Sequence, residues 1–122
     1  MALFREQILL NGVVATTTSD PFNVETFSKV GLQFLAAAVS TGNGVFTVEG
    51  TIDGINWVAL SVLIDNAANT NVQGLTRVAS KTLSSNTSVL VWLDSFLGLR
   101  AIRVVVTRTT DGTYSAFAIG GE

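Results

Sequence analysis

Apolar side chains recur at every second position through most of this 122-residue chain, which is the period of a β-strand and not of a helix. The clearest run is 45–53, in which one face carries Phe46, Val48, Gly50 and Ile52. Turn-forming segments separate such runs, among them Asn11-Gly12, Asp53-Gly54 and Thr110-Asp111-Gly112. The alternation therefore predicts an all-β chain of about eight to ten short strands.

Two other strands are predicted as strongly. The run 30–39 places on one face Val30, Leu32, Phe34, Ala36 and Ala38, and the run 99–108 points inward with Ile102, Val104 and Val106. At the end of the chain, Phe117 and Ile119 lie opposite Tyr114 and Ala116. Weaker runs predict strands at 24–27, 57–64, 75–83 and 89–93, with a polar loop at 65–74. Strands at this spacing indicate a single sandwich or barrel domain over 1–122.

Two residue types are missing from the chain. It has no cysteine, which excludes disulfides and thiolate sites, and no histidine, which removes the commonest general base and the usual zinc ligand. Serine-histidine and cysteine-histidine arrangements for hydrolysis are therefore impossible. We expect a protein that is not an enzyme and that binds no cofactor.

The charged fraction is low for a soluble domain. Charged residues make up 13% of the chain and the net charge is −2, with a mean hydropathy of +0.48, whereas an average domain has about 25% charged residues. A domain of this size cannot bury all of that apolar surface internally, so the excess predicts an exposed interface and self-association. The alternative is an unusually apolar core beneath a surface of threonine, serine and asparagine.

The first ten residues are apolar on both sides of a predicted strand. Phe4, Ile8 and Leu10 share one face, and Leu3 and Leu9 share the other. We therefore expect 1–10 to be an assembly arm that docks on a neighbouring subunit, with pairing inside its own sandwich as the open alternative. The predicted interface is completed by Trp92 and Arg103.

Membrane and nucleic-acid partners are not expected. The longest apolar stretch, 30–39, is far shorter than the roughly 20 residues of a membrane span. Arg5 and Glu6 interrupt the segment where an export signal would be apolar. The isoelectric point near 4.9 gives no basic footprint for nucleic acid.

One hairpin carries a family resemblance. Residues 48–57, VEGTIDGINW, combine a strand, a turn at Asp53, Gly54 and Asn56, and a following Trp57. This segment resembles the SxDGxxW hairpin of discoidin-type jelly-roll domains, with Thr51 in place of serine. Together with VGLQ at 30–33, LRAIRV at 99–104 and the turn at 111–112, it also resembles small virion proteins of tailed bacteriophages over residues 30–119.

The resemblance implies a fold and a role. The fold would be an antiparallel β-sandwich of jelly-roll type, and the protein would be a structural component of the virion, decorating or cementing the capsid shell. Its partners would be copies of itself, with a closed trimer as the expected oligomer, and the major capsid protein or another virion protein. It would be made in the host cytoplasm and located in the virion.

A carbohydrate-binding module is the alternative function. Trp57, Trp92 and Tyr114 would form a stacking face for sugar rings, with Asp53 and Asn56 beside it. The competing interpretation, which we favour, makes Trp57 structural, with its ring covering one end of the core, and the two polar residues ordinary turn formers.

A calcium site would have to use scattered acids. The candidate ligands are Asp53, Asp65 with Asn66, and Asp111, and their positions follow no loop-ligand spacing. Solvated turn carboxylates are the favoured interpretation, and no metal is expected.

Overall fold

The computed structural model of the protein describes residues 4–65, 75–93 and 98–122. Within these ranges the chain forms twelve strands and no helix. The strands are β1 (Phe4–Val13), β2 (Thr17–Thr18), β3 (Phe22–Asn23), β4 (Lys29–Ala37), β5 (Asn43–Thr51), β6 (Val58–Leu60), β7 (Val62–Asp65), β8 (Leu75–Val78), β9 (Lys81–Leu83), β10 (Thr87–Leu93), β11 (Ala101–Thr109) and β12 (Thr113–Gly121). The all-β prediction from the alternating pattern is confirmed.

The strands form two antiparallel sheets that enclose one core. Sheet A has the order β1-β12-β4-β10-β7-β8; sheet B has the order β2-β11-β5-β6, with β3 also on β11 and β9 also on β5. Counting β2 and β3 as one strand, and β6 to β9 as another, gives eight strands in chain order. The first of these strands pairs with the eighth, the second with the seventh, the third with the sixth and the fourth with the fifth. This is the order of a rolled-up hairpin, so the antiparallel jelly-roll sandwich is confirmed.

The core lies between the two sheets and is built by the alternating faces. In the four long central strands, the side chains that belong to the hydrophobic core are Val30, Leu32, Phe34 and Ala36 of β4, Phe46 and Val48 of β5, Ile102, Val104 and Val106 of β11, and Tyr114, Ala116 and Ala118 of β12. The rings of Phe34 and Phe46 stack across the two sheets, with centroids 4.5 Å apart and an interplanar angle of 10°. The predicted inward faces are confirmed, except that Ala38 and Ile52 lie beyond the ends of their strands.

Strand β1 departs from simple alternation. Ile8 pairs with Phe117 and Leu10 with Ala116, so Leu9 is an extra residue, and both Leu9 and Leu10 are buried. The expectation that Phe4, Ile8 and Leu10 share one face is therefore wrong, because a bulge reverses the alternation between them.

The predicted turn at Asn11-Gly12 is also wrong. It is a second register shift within β1, between Leu10 and Val13, and Gly12 has a φ of +60° there. The Gly12 N–H donates to Ser115 Oγ at 2.8 Å, which keeps the strand attached to β12. Glycine adopts the left-handed conformation at little cost, so it can continue a bulged strand as readily as it can make a turn.

Two segments that were predicted as single strands are each divided into two strands, one in each sheet. Residues 57–64 divide at Ser61 into β6, which pairs with β5 in sheet B, and β7, which pairs with β10 in sheet A. Residues 75–83 divide likewise into β8 and β9. Between β6 and β9 the chain therefore changes sheets at Ser61 and again between β8 and β9, and β7 and β8 extend sheet A beyond β10.

The strand predicted at 24–27 is wrong. Strand pairing involves Phe22 and Asn23 instead, and the Phe27 N–H donates to the Val24 carbonyl at 3.1 Å, which forms a turn. Most of the polar loop predicted at 65–74 lies outside the described residues.

Candidate interaction surfaces

The outer face of sheet A carries a cluster of exposed apolar side chains. Antiparallel register aligns Ile8, Phe117, Gln33 and Leu90 in one row across four strands, and Glu6, Ile119, Gly31 and Trp92 in the next. We call this surface the sheet A face and define it by the apolar side chains Phe4, Ile8, Leu90, Trp92, Phe117 and Ile119.

Gly31 makes a depression at the centre of the sheet A face. A Cβ atom there would lie 3.6 Å from Ile119 and 3.7 Å from Trp92, so the missing side chain leaves a slot between these two neighbours. A groove of about 450 Å³ runs past it, lined on one side by Glu6 and Ile8 and on the other by Trp92. A second groove of about 560 Å³ lies towards Phe4.

The outer face of sheet B differs in that it carries an ion pair. Arg103 of β11 and Glu49 of β5 are register partners, and Arg103 Nε donates to Glu49 Oε1 at 2.7 Å. The Arg103 guanidinium carbon also lies 4.3 Å from the centre of the Trp57 ring. Trp57 is half-buried outside the core cluster, so the expectation that its ring covers one end of the core is wrong.

The turn after β5 is organised by Asp53. Its Oδ1 accepts hydrogen bonds from the N–H groups of Ile55 and Asn56, each at 2.8 Å, and from Thr51 Oγ1 at 3.0 Å. The Asn56 side-chain amide donates to the other carboxylate oxygen at 2.6 Å. These donors, the Asn56 N–H first among them, hold the pKa of Asp53 well below its usual value.

Asp111 holds together two loops at one end of the sandwich. Its carboxylate accepts hydrogen bonds from the backbone N–H groups of Ser40, Thr41 and Gly42 at 3.0–3.1 Å. The Thr41 and Ser40 N–H groups are the main reason that the pKa of Asp111 is lowered. Below this turn, the Tyr114 hydroxyl donates to the Asp111 carbonyl at 2.9 Å, and burial raises the pKa of Tyr114.

Both carboxylates are therefore occupied by hydrogen bonds, Asp53 by donors of its own turn and Asp111 by donors of the 40–42 loop. Asp53 and Asp111 belong to separate turns, and the side chain of Asp65 and all of Asn66 lie outside the described residues. In the described part of the chain, no three acidic residues come together as a group that could hold a metal ion.

The other arginines near β11 also have intramolecular partners. Arg100 Nε lies 3.5 Å from Glu25 Oε1, with both side chains about half exposed, and Arg100 Nη1 donates to the Asp53 carbonyl at 3.3 Å. Arg108 Nε donates to the Gly112 carbonyl at 2.9 Å. These contacts connect loops to β11 and to one another.

The predicted interface residues separate into three environments. Phe4, Ile8 and Trp92 come together on the sheet A face. Leu9 and Leu10 are buried in the core, and Leu3 lies outside the described residues. Arg103 belongs to the outer face of sheet B.

The predicted assembly arm is corrected over its described residues, 4–10. They pair with β12 of their own sandwich from Phe4 to Leu10, which is the alternative that the sequence left open. The outer face of this strand remains available for contact with a partner.

The three aromatic residues proposed for sugar stacking do not share a surface. Tyr114 is fully buried, Trp57 lies on the outer side of sheet B, and Trp92 lies on the sheet A face. The prediction of a joint stacking face is therefore wrong. Of the three aromatic residues, only Trp92 lies in a groove that also contains an amide and a carboxylate side chain, those of Gln33 and Glu6.

Several residues of the sheet A face were not predicted from the sequence. Phe117, Ile119 and Leu90 lie beside the predicted interface residues, and Gly31 separates Ile119 from Trp92. A signal for them existed, because the last strand has apolar residues on both faces. The register that brings them next to β1 and β10 could not be read from that pattern.

In the part of the chain that the structure describes, no helix is long and apolar enough to cross a membrane.

Comparison with known proteins shows the fold of the chain. No protein-family profile and no curated protein matches it. Among solved structures it is similar to the SPBc2 prophage-derived protein YomS, with a TM-score of 0.64 and 13% identity over 100% of this chain and 96% of that one. A chain of infectious bursal disease virus, Gx strain, matches with a TM-score of 0.44 and 12% identity over 99% of this chain and 33% of that one.

Proposed function

We propose that this protein is a structural virion protein of a tailed bacteriophage that decorates the capsid shell and acts by contact, without catalysis. The observation that carries the proposal is the contrast between the two outer faces of the sandwich. Sheet B presents the Arg103–Glu49 ion pair, whereas the sheet A face is apolar. Exposed apolar patches of this kind mark interaction surfaces on soluble domains.

The hydrogen bonding of the Asp53 and Asp111 carboxylates supports a role without catalysis. Asp53 accepts from backbone N–H groups of its own turn and Asp111 from those of the 40–42 loop, and the pKa values of both are lowered, which is unsuited to a general acid or base at neutral pH. Their hydrogen bonds fix loop geometry instead. The fold similarity to a prophage-derived protein of nearly the same length fits the phage origin proposed here.

The test is the protein content of purified particles. Particles of the phage that encodes the gene would be prepared with the gene intact and with it deleted, and quantified by mass spectrometry. We expect a stoichiometric amount in the intact particles and rebinding of purified protein to the deleted ones. Absence from intact particles, with no rebinding, would contradict the proposal.

Carbohydrate binding at the groove beside Trp92 is the second candidate. The groove of about 450 Å³ contains an indole ring, the Gln33 amide and the Glu6 carboxylate, a combination suited to a sugar ring. A glycan array with the wild type and a Trp92→Ala variant tests it. Specific binding by the wild type that is lost in the variant would favour this function.

A further inference from the structure

We infer that the sheet A face binds a second copy of this chain, face to face, as a two-fold dimer. The inference deepens the proposed function, on which it rests, by naming the surface and the partner that assembly would use.

The apolar content of the face is the first support. Phe4 is 69% exposed, Ile8 60% and Ile119 46%, although all three are paired within strands of the sheet. Leu90 and Leu75 are also half exposed on the same side of sheet A. Side chains of this size on a regular strand face are normally covered in a sandwich, so a partner surface is missing from the monomer.

The second support is the scarcity of charge. Lys29 is the only charged residue in the three strands β12, β4 and β10, and it lies at the beginning of β4. Glu6 on β1 has the opposite sign. Two copies can therefore approach without placing like charges at the centre of the contact. The outer face of sheet B, in contrast, carries the Arg103–Glu49 ion pair.

The dimensions of the face agree with a stable contact. Four strands at about 4.8 Å spacing and about 25 Å in length project to about 480 Å². This projection is about 60% of the roughly 800 Å² per partner of a standard interface, and the accessible surface of the side chains is larger than the projection.

The shape of the face favours a copy of itself. Two identical sheets have the same twist, so they can pack in the aligned arrangement of a sandwich, about 10 Å apart. The slot at Gly31, between Ile119 and Trp92, leaves room for a protruding aliphatic side chain of the second copy.

The symmetry of the contact follows from the number of patches. A two-fold contact uses one patch twice, whereas a closed trimer needs two different patches that fit each other. The sheet A face is one continuous surface. The other exposed aliphatic group, at Ile52, Ile55 and Val58, is confined to one turn and the start of β6. We therefore propose a dimer in place of the trimer that the family resemblance implies.

The experiment compares Ile119→Lys with Ile55→Lys by sedimentation velocity across the micromolar range. Both substitutions put a lysine at an exposed isoleucine, but only Ile119 lies on the sheet A face. We expect the wild type and Ile55→Lys to be dimers and Ile119→Lys to be a monomer that still melts cooperatively. If Ile119→Lys fails to fold, Ile8→Lys on edge strand β1 replaces it, with the same expectation.

Trp92 provides a second measurement. The chain has two tryptophans, so Trp57→Phe leaves Trp92 as the only indole reporter. We expect its fluorescence emission to shift to the blue as the protein concentration rises through the dimerisation range, and Ile119→Lys to abolish that shift.

Several outcomes would overturn the inference. These are a wild type that stays monomeric throughout, dimers that survive Ile119→Lys and Ile8→Lys, or loss of the dimer in Ile55→Lys. Glycan-dependent quenching of Trp92 in a protein that stays monomeric would assign the groove to carbohydrate. A monomer that still rebinds particles would refute the dimer and leave the proposed virion function standing.

Discussion

The Arg103 guanidinium covers the face of the Trp57 ring, with its central carbon 4.3 Å from the ring centre. The contact attaches the start of β6 to the outer side of sheet B, because Arg103 is also paired with Glu49 on the neighbouring strand. Trp57 thus contributes to the packing of the hairpin and lies outside the core between the sheets.

Trp57→Ala is therefore expected to be milder than a core substitution. Losing the cation–π contact and partial apolar burial should lower the free energy of unfolding by about 1–2 kcal/mol. Phe34→Ala, which removes a fully buried ring, should lower it by about 3–5 kcal/mol. Urea denaturation of both variants measures the difference, and equal losses would place Trp57 in the core after all.

Leu10→Ala tests whether β1 belongs to its own sandwich. Leu10 is only 3% exposed, so truncation should cost about 2–5 kcal/mol of unfolding free energy. Ile8→Ala, two residues earlier and on the outer face, should change it by no more than about 0.5 kcal/mol when both variants are measured below the concentration at which dimers form. Chemical denaturation decides, and a neutral Leu10→Ala would revive the idea of a detachable arm.

Gly44→Ala is expected to destabilise the protein through a steric clash. A Cβ at Gly44 would lie 2.6 Å from the buried Tyr114 ring, so the variant should lose about 1–3 kcal/mol. Gly31→Ala is the matched control below the concentration at which dimers form, since its Cβ would have only ordinary contacts within the chain, at 3.6 Å or more. Thermal melts of the two variants should separate clearly, and similar melting temperatures would refute the clash.

A fall in pH should destabilise the end of the sandwich at which Asp111 connects two loops. The N–H donors lower the pKa of Asp111 in the folded state, so its stabilising effect is present above the unfolded value of about 4 and is lost as the pH falls below it. Asp111→Asn cannot titrate, so its unfolding free energy should fall less than that of the wild type between about pH 7 and pH 3.

The control for this measurement is Glu6→Gln, which removes the same formal charge on the outer side of sheet A, away from the 40–42 loop. It should retain the wild-type pH dependence, as measured by urea denaturation at both pH values. An Asp111→Asn variant with the wild-type slope would contradict the assigned role.

The faces of the long strands could be predicted because each alternates without interruption. In β4, β5 and β11, residues such as Phe34, Val48 and Val104 are buried as the pattern indicates. The all-β class follows from such strands and from the turns between them, which indicated a sandwich or a barrel, whereas the jelly-roll type was implied by the family resemblance.

The remaining features depend on tertiary pairing that a single sequence does not display. Nothing in the local pattern marks Ser61 as the point where the chain leaves sheet B for sheet A, since the apolar run continues through it. Likewise, the Asn11-Gly12 dipeptide fits a turn and a bulge equally well, and only the ladder with β12 distinguishes them. Trp57 was misplaced because its arginine partner comes from a distant strand.

The pairing of β1 with β12 has a consequence for the order in which the protein folds. Phe4 lies opposite Gly121, so the first described strand must wait for almost the whole chain before it gains its neighbour. Contacts of such long sequence separation make folding slow, on the order of milliseconds to seconds for β-sandwiches. A nascent chain that still lacks β12 leaves the edges of β1 and β4 open to pairing with other chains. Emergence of β12 from the ribosome is therefore the step that fills the gap between β1 and β4 in sheet A.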